Sequence, residues 1–435
     1  MNRLSSSRWV LSVLAVGCLL RMAWDAPAQA ESFKLYSAPR TTHLMLKPGD
    51  RLAICGDSIT EQKMYSRILE TYLTVCTPEL NLSIRQYGWS GERADGFFER
   101  MQNDVLRFKP TIATTCYGMN DHRYRPYEPW IGELYRIHLD AVVRAFEAEQ
   151  VRVVVGSPGP VGKVPHWVKD AGPTVDALNG NLAELRNLAA KVAQKRREGF
   201  ADIFLPMLTA DRDALAKYGT NYAVPGKDGV HPGWAGQLIM AHAFLDGLGL
   251  GGDLGSLTIE VGDGKTEARA KGGHAVTDIV GDLVTLKSTR YPFCAPPAEL
   301  SDDNSIRSGM QWVPFQQRFN RLILVVKGLS GTPKHRVIWG TESRVFDAET
   351  LKRGINLAEE FAVNPFSGPF KAVDEAIAAK QTYETAQIKG EFHGQAGKAD
   401  MEATVRRTEE ERAAKVAAIK TAFQPVVHTI RVTAE

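Results

Sequence analysis

Arg51-Leu52-Ala53-Ile54-Cys55-Gly56-Asp57-Ser58-Ile59-Thr60 is the stretch that decides how this 435-residue chain is read. A short apolar run, residues 51–55, passes straight into a glycine, an acid and a hydroxyl. Beyond it Tyr65, Ile68, Leu69, Tyr72, Leu73 and Cys76 recur at helical spacing and predict one apolar stripe. Strand, tight turn and helix in that order form half of a parallel β-α-β unit. The pattern then repeats. Residues 82–87 alternate as a strand would, residues 111–117 are β-rich, and residues 151–156 (Val-Arg-Val-Val-Val-Gly) are the clearest strand of all. Helical stretches fall at 131–149, 176–197 and 234–248, with a short strand expected at 202–205. Such alternation predicts the α/β class: three layers, with a parallel sheet covered on both faces. Sites in these sheets lie outside the carboxyl ends of the strands. Gly56-Asp57-Ser58 falls at such an end, and so does Gly118-Met119-Asn120-Asp121.

The α/β unit is expected over residues 45–252. Ahead of it, residues 1–30 read as an export signal. Arg3 and Arg8 make a positive start, residues 9–20 are apolar, and Ala28-Gln29-Ala30 has the small-residue form that a signal peptidase cuts after. The apolar run is too short to span a bilayer. A buried helix of the mature fold is one competing reading. Lipoprotein processing at Cys18 is another, although Leu19 and Leu20 keep the following residues apolar and favour the later cut. Export would place the protein in the periplasm or outside the cell. No later run is long and apolar enough for a membrane span.

Composition narrows the partners. The net charge is only +3, and no basic block interleaved with aromatics points to nucleic acid. Of five cysteines, Cys18 would leave with the signal. Cys55 and Cys116 lie in apolar strand-like stretches and read as buried thiols. Cys76 is at a helix end and Cys294 in a loop, so one bridge among the four stays open. Ten histidines are scattered, with no His-Glu-x-x-His or Cys-x-x-Cys pair. No metal or cofactor is expected, and the oligomeric state is not readable.

After Gly252 the character changes. Residues 255–347 form a β-rich region in which 257–261, 274–279 and 283–288 alternate between Gly-Asp or Gly-Gly pairs, as antiparallel hairpins would. Residues 322–328 and 336–340 continue it. Residues 348–435 read as a helical region, with helices at 348–360, 370–389 and 398–423. The last carries Arg406, Arg407, Glu409, Glu410, Glu411 and Arg412. It reads as a solvated helix resting one side on the body, with a partner-binding helix as the alternative.

Four short motifs carry the chemistry. Ser58 follows a strand and opens a helix, where helix N–H groups can meet a developing negative charge. Taken alone, it is as well explained as a helix cap. Asp228-Gly229-Val230-His231 can set a carboxylate against one ring nitrogen and leave the other free; alone it could be a surface loop. Gly91 leaves its N–H open to a substrate oxygen. The Asn120 amide can be a second donor, though Asn120-Asp121 is also turn chemistry. Together the motifs hold a hydroxyl nucleophile, oxyanion donors and an Asp/His pair, the parts of acyl transfer through a covalent ester.

In this order and spacing the motifs resemble the SGNH hydrolases, the GDSL esterase/lipase superfamily, over residues 50–250. The first motif here is Gly-Asp-Ser-Ile, an aliphatic exchange for the family's Gly-Asp-Ser-Leu. The family's oxyanion glycine carries over to Gly91, in preference to Gly88, and its oxyanion asparagine to Asn120. Its Asp-x-x-His block carries over to Asp228 and His231. The resemblance implies a flavodoxin-like parallel sheet and metal-free ester hydrolysis. Ser58, His231 and Asp228 would be catalytic, with the oxyanion held by Ser58, Gly91 and Asn120. A serine this early, without a Gly-x-Ser-x-Gly elbow, does not fit the ordinary α/β-hydrolase layout.

Near these motifs lie Trp89, His122, Arg123, Tyr124, Arg125, Tyr127 and Trp130. Trp89, His122 and Tyr124 are the pocket candidates, against the plain alternative of packing. Aromatic platforms flanked by polar groups suit a sugar ring better than a long acyl chain, and no contiguous apolar lid is evident. Exported members of the resembled family with an accessory β unit often deacetylate polysaccharides. The expectation is therefore a carbohydrate (acetyl) esterase acting on a small-molecule or polysaccharide ester. A lysophospholipase- or thioesterase-like lipolytic hydrolase is the alternative, as is a carbohydrate-binding protein with a weakly active core.

Overall fold

A computed structural model of the chain describes residues 33–169, 172–262 and 265–435. The export signal read at residues 1–30, and Cys18 with it, lies outside the described residues. Strands β1 (Arg51–Gly56), β2 (Ser83–Gln86), β3 (Ile112–Cys116), β4 (Arg152–Gly156) and β5 (Gly199–Ala201) form one sheet in the order β2-β1-β3-β4-β5. Every pair in it is parallel. This is the flavodoxin-like order, in which the chain winds one way from β1 to β2 and the other way from β1 to β3. The helices of this unit are α1 (Ser58–Glu61), α2 (Tyr65–Val75), α3 (Ala94–Asp104), α4 (Pro129–Ala148), α5 (Val175–Arg196), α6 (Phe204–Tyr218) and α7 (Trp234–Gly247).

The three layers follow from the alternation of side chains along the strands. Leu52 and Ile54 pack into an apolar cluster with Ile68 and Leu69 of α2 and Leu238 and Phe244 of α7. Ala53 and Cys55 point the other way, into a second cluster with Phe97 of α3, Leu139 of α4 and Leu185 of α5. Burying one such large aliphatic side chain contributes about 1.5–3 kcal/mol. β3 is buried at every position, as a central parallel strand must be.

The short strand expected at 202–205 is corrected. β5 ends at Ala201, and α6 begins at Phe204. The reason lies in Ser157, whose hydroxyl oxygen accepts the N–H groups of Ile203 and Phe204 and so starts a helix there.

Beyond residue 252 the chain builds two further sheets. β6 (Asp253–Gly262), β7 (Lys265–Lys271), β10 (Arg321–Lys327) and β13 (Ile355–Asn356) form one, in the order β13-β10-β6-β7. β8 (His274–Val280), β9 (Leu283–Ser288), β11 (Lys334–Trp339), β12 (Glu342–Asp347) and β14 (Val426–Ala434) form the other, in the order β12-β11-β14-β9-β8. The expected hairpins are present, but β10 runs parallel to β6, so the region is not wholly antiparallel. The helix expected at 348–360 is interrupted at Gly354 by β13. Likewise residues 348–435 are not helical throughout, because β14 pairs with β9 and β11. Its Val426, His428, Ile430 and Val432 are buried. Helices Ser367–Ala386 and Met401–Ala422 are as expected within a few residues. The charged helix does rest one side on the body, burying Thr404, Thr408, Arg412 and Ile419. Cys55, Cys76, Cys116 and Cys294 are all free and buried.

Candidate active site

The carboxyl ends of β1, β2 and β3 bring three of the motifs together. Gly56 ends β1 where only a hydrogen side chain fits: a Cβ there would lie 2.1 Å from Thr60 Oγ1 and 3.0 Å from the Cys116 carbonyl oxygen. Asp57 caps the turn that follows, accepting the Ile59 N–H at 3.0 Å. The helix expected after Ser58 is a single turn, so its dipole adds little. At its first position the Ser58 N–H has no partner within the turn.

Ser58 Oγ lies 2.8 Å from His231 Nε2, and His231 Nδ1 lies 2.7 Å from Asp228 Oδ2. The other carboxylate oxygen of Asp228 accepts the N–H of Val230 at 2.9 Å and of His231 at 2.8 Å. Burial alone would raise the Asp228 carboxyl, but these N–H groups and the imidazole outweigh it and hold the group below the usual carboxylate range. Nδ1 therefore carries the ring hydrogen, and Nε2 faces the serine as an acceptor. The loop is braced from outside. Gly162 N–H donates to the Gly229 carbonyl at 3.0 Å, and Asp303, from the C-terminal region, accepts the N–H groups of Ala223 and Ala235.

Gly91 sits at φ +75° with open space where a side chain would be, and among the described residues no protein acceptor takes its N–H. Asn120 Nδ2 donates to the Glu92 carbonyl at 3.0 Å and lies 3.4 Å from Asp57 Oδ2. Its amide is thus held at the mouth of the turn, with one hydrogen weakly engaged. Burial, with Asp121 and Glu92 nearby, pushes the Asp57 carboxyl up to about 7. Asp121 works beneath the site, accepting the N–H groups of Ala94 and Gly118.

The pocket candidates part company. Tyr124 reaches the site: its hydroxyl lies 3.3 Å from Asn120 Oδ1. It gets there through two successive left-handed residues, Arg123 at φ +57° and Tyr124 at φ +53°. Such strain costs on the order of 1–3 kcal/mol per residue and clusters at functional sites. His122 is corrected as a pocket residue. It is fully buried under Tyr124, its Nδ1 meets the Met119 carbonyl, and burial pushes it down to about 4. Trp89 is half-buried and packs on the other side, with Arg100 and Lys389 each 5.1 Å from its ring. Tyr127 and Trp130 are exposed.

Sequence reasoning missed Trp167. Its ring centroid lies 6.0 Å from that of His231 and 5.8 Å from that of Tyr124, so it bridges the imidazole and Tyr124. The signal was available, because Trp167 sits in the long loop leaving the carboxyl end of β4, the clearest strand of the chain.

A doubly wound parallel sheet carries a hydroxyl, an imidazole and a carboxylate in line at its carboxyl edge, and the protein's similarities place it in the class of carboxylic ester hydrolases. Residues 54–239 match the model of the GDSL-like Lipase/Acylhydrolase family, and this stretch of the chain is a domain of that family, of the SGNH type. An acetylxylan esterase of Geobacillus stearothermophilus is 26% identical over 220 residues, which make up 46% of this chain and 94% of that protein. A solved structure of an acetylxylan esterase from the same organism aligns over 48% of this chain and 97% of its own, at 21% identity and a TM-score of 0.39. Across most of the length, the fold resembles that of a gut microbial diltiazem-metabolizing enzyme. That match has a TM-score of 0.71 at 20% identity and covers 92% of this chain and 100% of the other.

Proposed function

We propose that this protein is an exported serine esterase that removes acetyl groups from a carbohydrate, with Ser58 as nucleophile. The observation that carries the reading is the unbroken chain Ser58 Oγ, His231 Nε2, His231 Nδ1, Asp228 Oδ2, with both links under 3 Å. In the cycle, Ser58 Oγ attacks the ester carbonyl carbon while its proton passes to His231 Nε2. The tetrahedral oxyanion is held by the N–H groups of Ser58 and Gly91 and by the Asn120 amide. The intermediate collapses, the carbon–oxygen bond to the alcohol breaks, and the alcohol leaves with the proton from Nε2. Water, deprotonated by the same nitrogen, attacks the acyl-enzyme and releases the acid and Ser58. Asp228 keeps the imidazole in the required tautomer and stabilises its cation.

The acyl and alcohol preferences rest on the walls. Trp167 beside the imidazole and Tyr124 between Trp167 and Asn120 are aromatic rings with polar edges, which suits a sugar ring. The similarity to an acetylxylan esterase supports the same substrate class. Export rests on residues 1–30; among the described residues no helix is long and apolar enough to cross a membrane. A panel of acetylated xylo-oligosaccharides, lysophospholipids and long-chain p-nitrophenyl esters tests the reading. The acetylated sugars should be turned over with the highest kcat/KM. A strong preference for the long chains would instead make the protein lipolytic.

A further inference from the structure

The chain beyond residue 252 reaches the catalytic edge a second time, at Glu61. Helix Ser367–Ala386 runs on into a π-helical turn, Gln387–Phe392. Turns of this kind are rare and are frequent at functional sites. Lys389, in this turn, places Nζ 2.9 and 3.0 Å from the two carboxylate oxygens of Glu61. Glu61 stands on α1, one turn after Ser58. One of its oxygens, Oε2, accepts both the backbone N–H of Ser90 and, at 2.6 Å, the Ser90 hydroxyl. Ser90 is the residue before Gly91. The ammonium of Lys389 also lies 5.1 Å from the Trp89 ring centroid, and the His393 ring meets Trp89 edge-on at 4.9 Å. His393 is tied in turn to Asp104, at the end of α3, at 2.8 Å.

We infer that Lys389 is a positioning residue for ester hydrolysis, holding the Ser90-Gly91 turn against the nucleophile helix through Glu61. The inference rests on the proposed role of Gly91 as an oxyanion donor. Gly91 is exposed, has a left-handed backbone and touches nothing where a side chain would be, so its own surroundings do not fix the direction of its N–H. The turn is closed by the Glu92 N–H on the Trp89 carbonyl at 3.2 Å and anchored by the Trp89 N–H on the Gly56 carbonyl at 3.0 Å. Within it, the side chain that grips the residue before Gly91 is Glu61, which holds Ser90 twice. Glu61 is held in place by Lys389, which is two-thirds buried, with the carboxylate more buried still. An exposed ion pair would be worth little. This one ties together the nucleophile's helix, the oxyanion turn and the C-terminal region. Misplacing a reacting group by about 1 Å can cost about a hundredfold in rate.

The test uses the full chain and p-nitrophenyl acetate. Lys389→Met, Lys389→Arg, Glu61→Gln and Ser58→Ala are compared for kcat, KM and thermal midpoint. Lys389→Met should lower kcat at least about tenfold, with KM within about twofold and the thermal midpoint nearly unchanged. Lys389→Arg should restore most of the rate. Combining Lys389→Met with Glu61→Gln should cost no more than the worse of the two alone, because both break one strut. An unchanged kcat in Lys389→Met, beside an inactive Ser58→Ala, would overturn the inference and leave the proposed reaction standing. A loss that follows the thermal midpoint, with no rescue by arginine, would overturn it as well. Turnover persisting in Ser58→Ala would overturn the reaction itself and the inference with it.

Discussion

At the scale of single residues, the site depends on which atom of each side chain faces which partner. In the proposed cycle His231 acts as the base, because Asp228 occupies its other nitrogen. Asp228→Asn would keep the size and the loop but could offer its NH2 group to Nδ1, turning Nε2 into the protonated, non-basic nitrogen. Turnover should fall about 10⁴-fold with little change in thermal midpoint, as a steady-state assay and a melting curve would show. A loss below tenfold would mean that the tautomer is not set by Asp228. Much of this was legible in the sequence, since Ser58, Gly91, Asn120, Asp228 and His231 all lie in short motifs of fixed spacing. What the motifs do not encode is which neighbouring aromatic turns inward. His122 and Tyr124 are two positions apart, yet one is buried and the other reaches Asn120. That difference comes from the two left-handed residues, Arg123 and Tyr124, a conformation no residue type there advertises.

At the scale of elements, β1, β3 and β4 were legible because central parallel strands are short unbroken apolar runs. β5 was displaced by three residues because Gly199 carries no strand signal and the helix start depends on Ser157, more than forty positions away. β14 alternates plainly enough, but its inward position 428 is a histidine, which looks solvent-facing without its partners. Those partners form a buried relay. Trp339 Nε1 donates to His428 Nδ1 at 3.1 Å, so His428 Nε2 carries the hydrogen toward Ser288 Oγ at 2.9 Å. His274 Nε2 faces the Leu254 carbonyl at 2.9 Å, so its Nδ1 accepts from the Ser288 hydroxyl at 2.7 Å. The relay is complete only while both rings are neutral. Burial first, and His274 second, push His428 down to about 4, against an ordinary value of 6.5. The unfolded chain thus takes up a proton below about pH 6.5 that the native chain resists until about pH 4. The stabilisation is present above that window and lost as pH falls through it, by up to roughly 3 kcal/mol. His122 and His242, also pushed to about 4, add slopes of the same sign. Replacing His428 with Gln should therefore flatten the fall in thermal midpoint between pH 6.5 and 4 without abolishing it. Equal slopes in the two proteins would show that the relay does not titrate with unfolding.

At the scale of the whole molecule, the C-terminal region is built into the hydrolase domain. One apolar cluster runs from Ile54 in the parallel sheet to Trp339 and Ile430 in the last one. Across the seam, Lys380 is almost fully buried between Glu70 of α2 and Glu384, and Arg412 completes the set by donating to Glu384. Removing one partner of such a set leaves a buried charge uncompensated, which is why these groups act as a lock. The family model covers residues 54–239, whereas the match to the diltiazem-metabolizing enzyme spans nearly the full chain. The larger architecture therefore recurs as a unit. Its Asp303 brace and its Lys389 strut both converge on the edge that bears Ser58. The most direct test is to trap that serine. The protein is treated with a fluorophosphonate, and the modified peptide is located by mass spectrometry. One adduct should form, on Ser58, in step with loss of esterase activity; it should be absent in Ser58→Ala and form far more slowly in His231→Ala. Stoichiometric labelling at another residue, with Ser58→Ala still hydrolysing esters at the wild-type rate, would contradict the account.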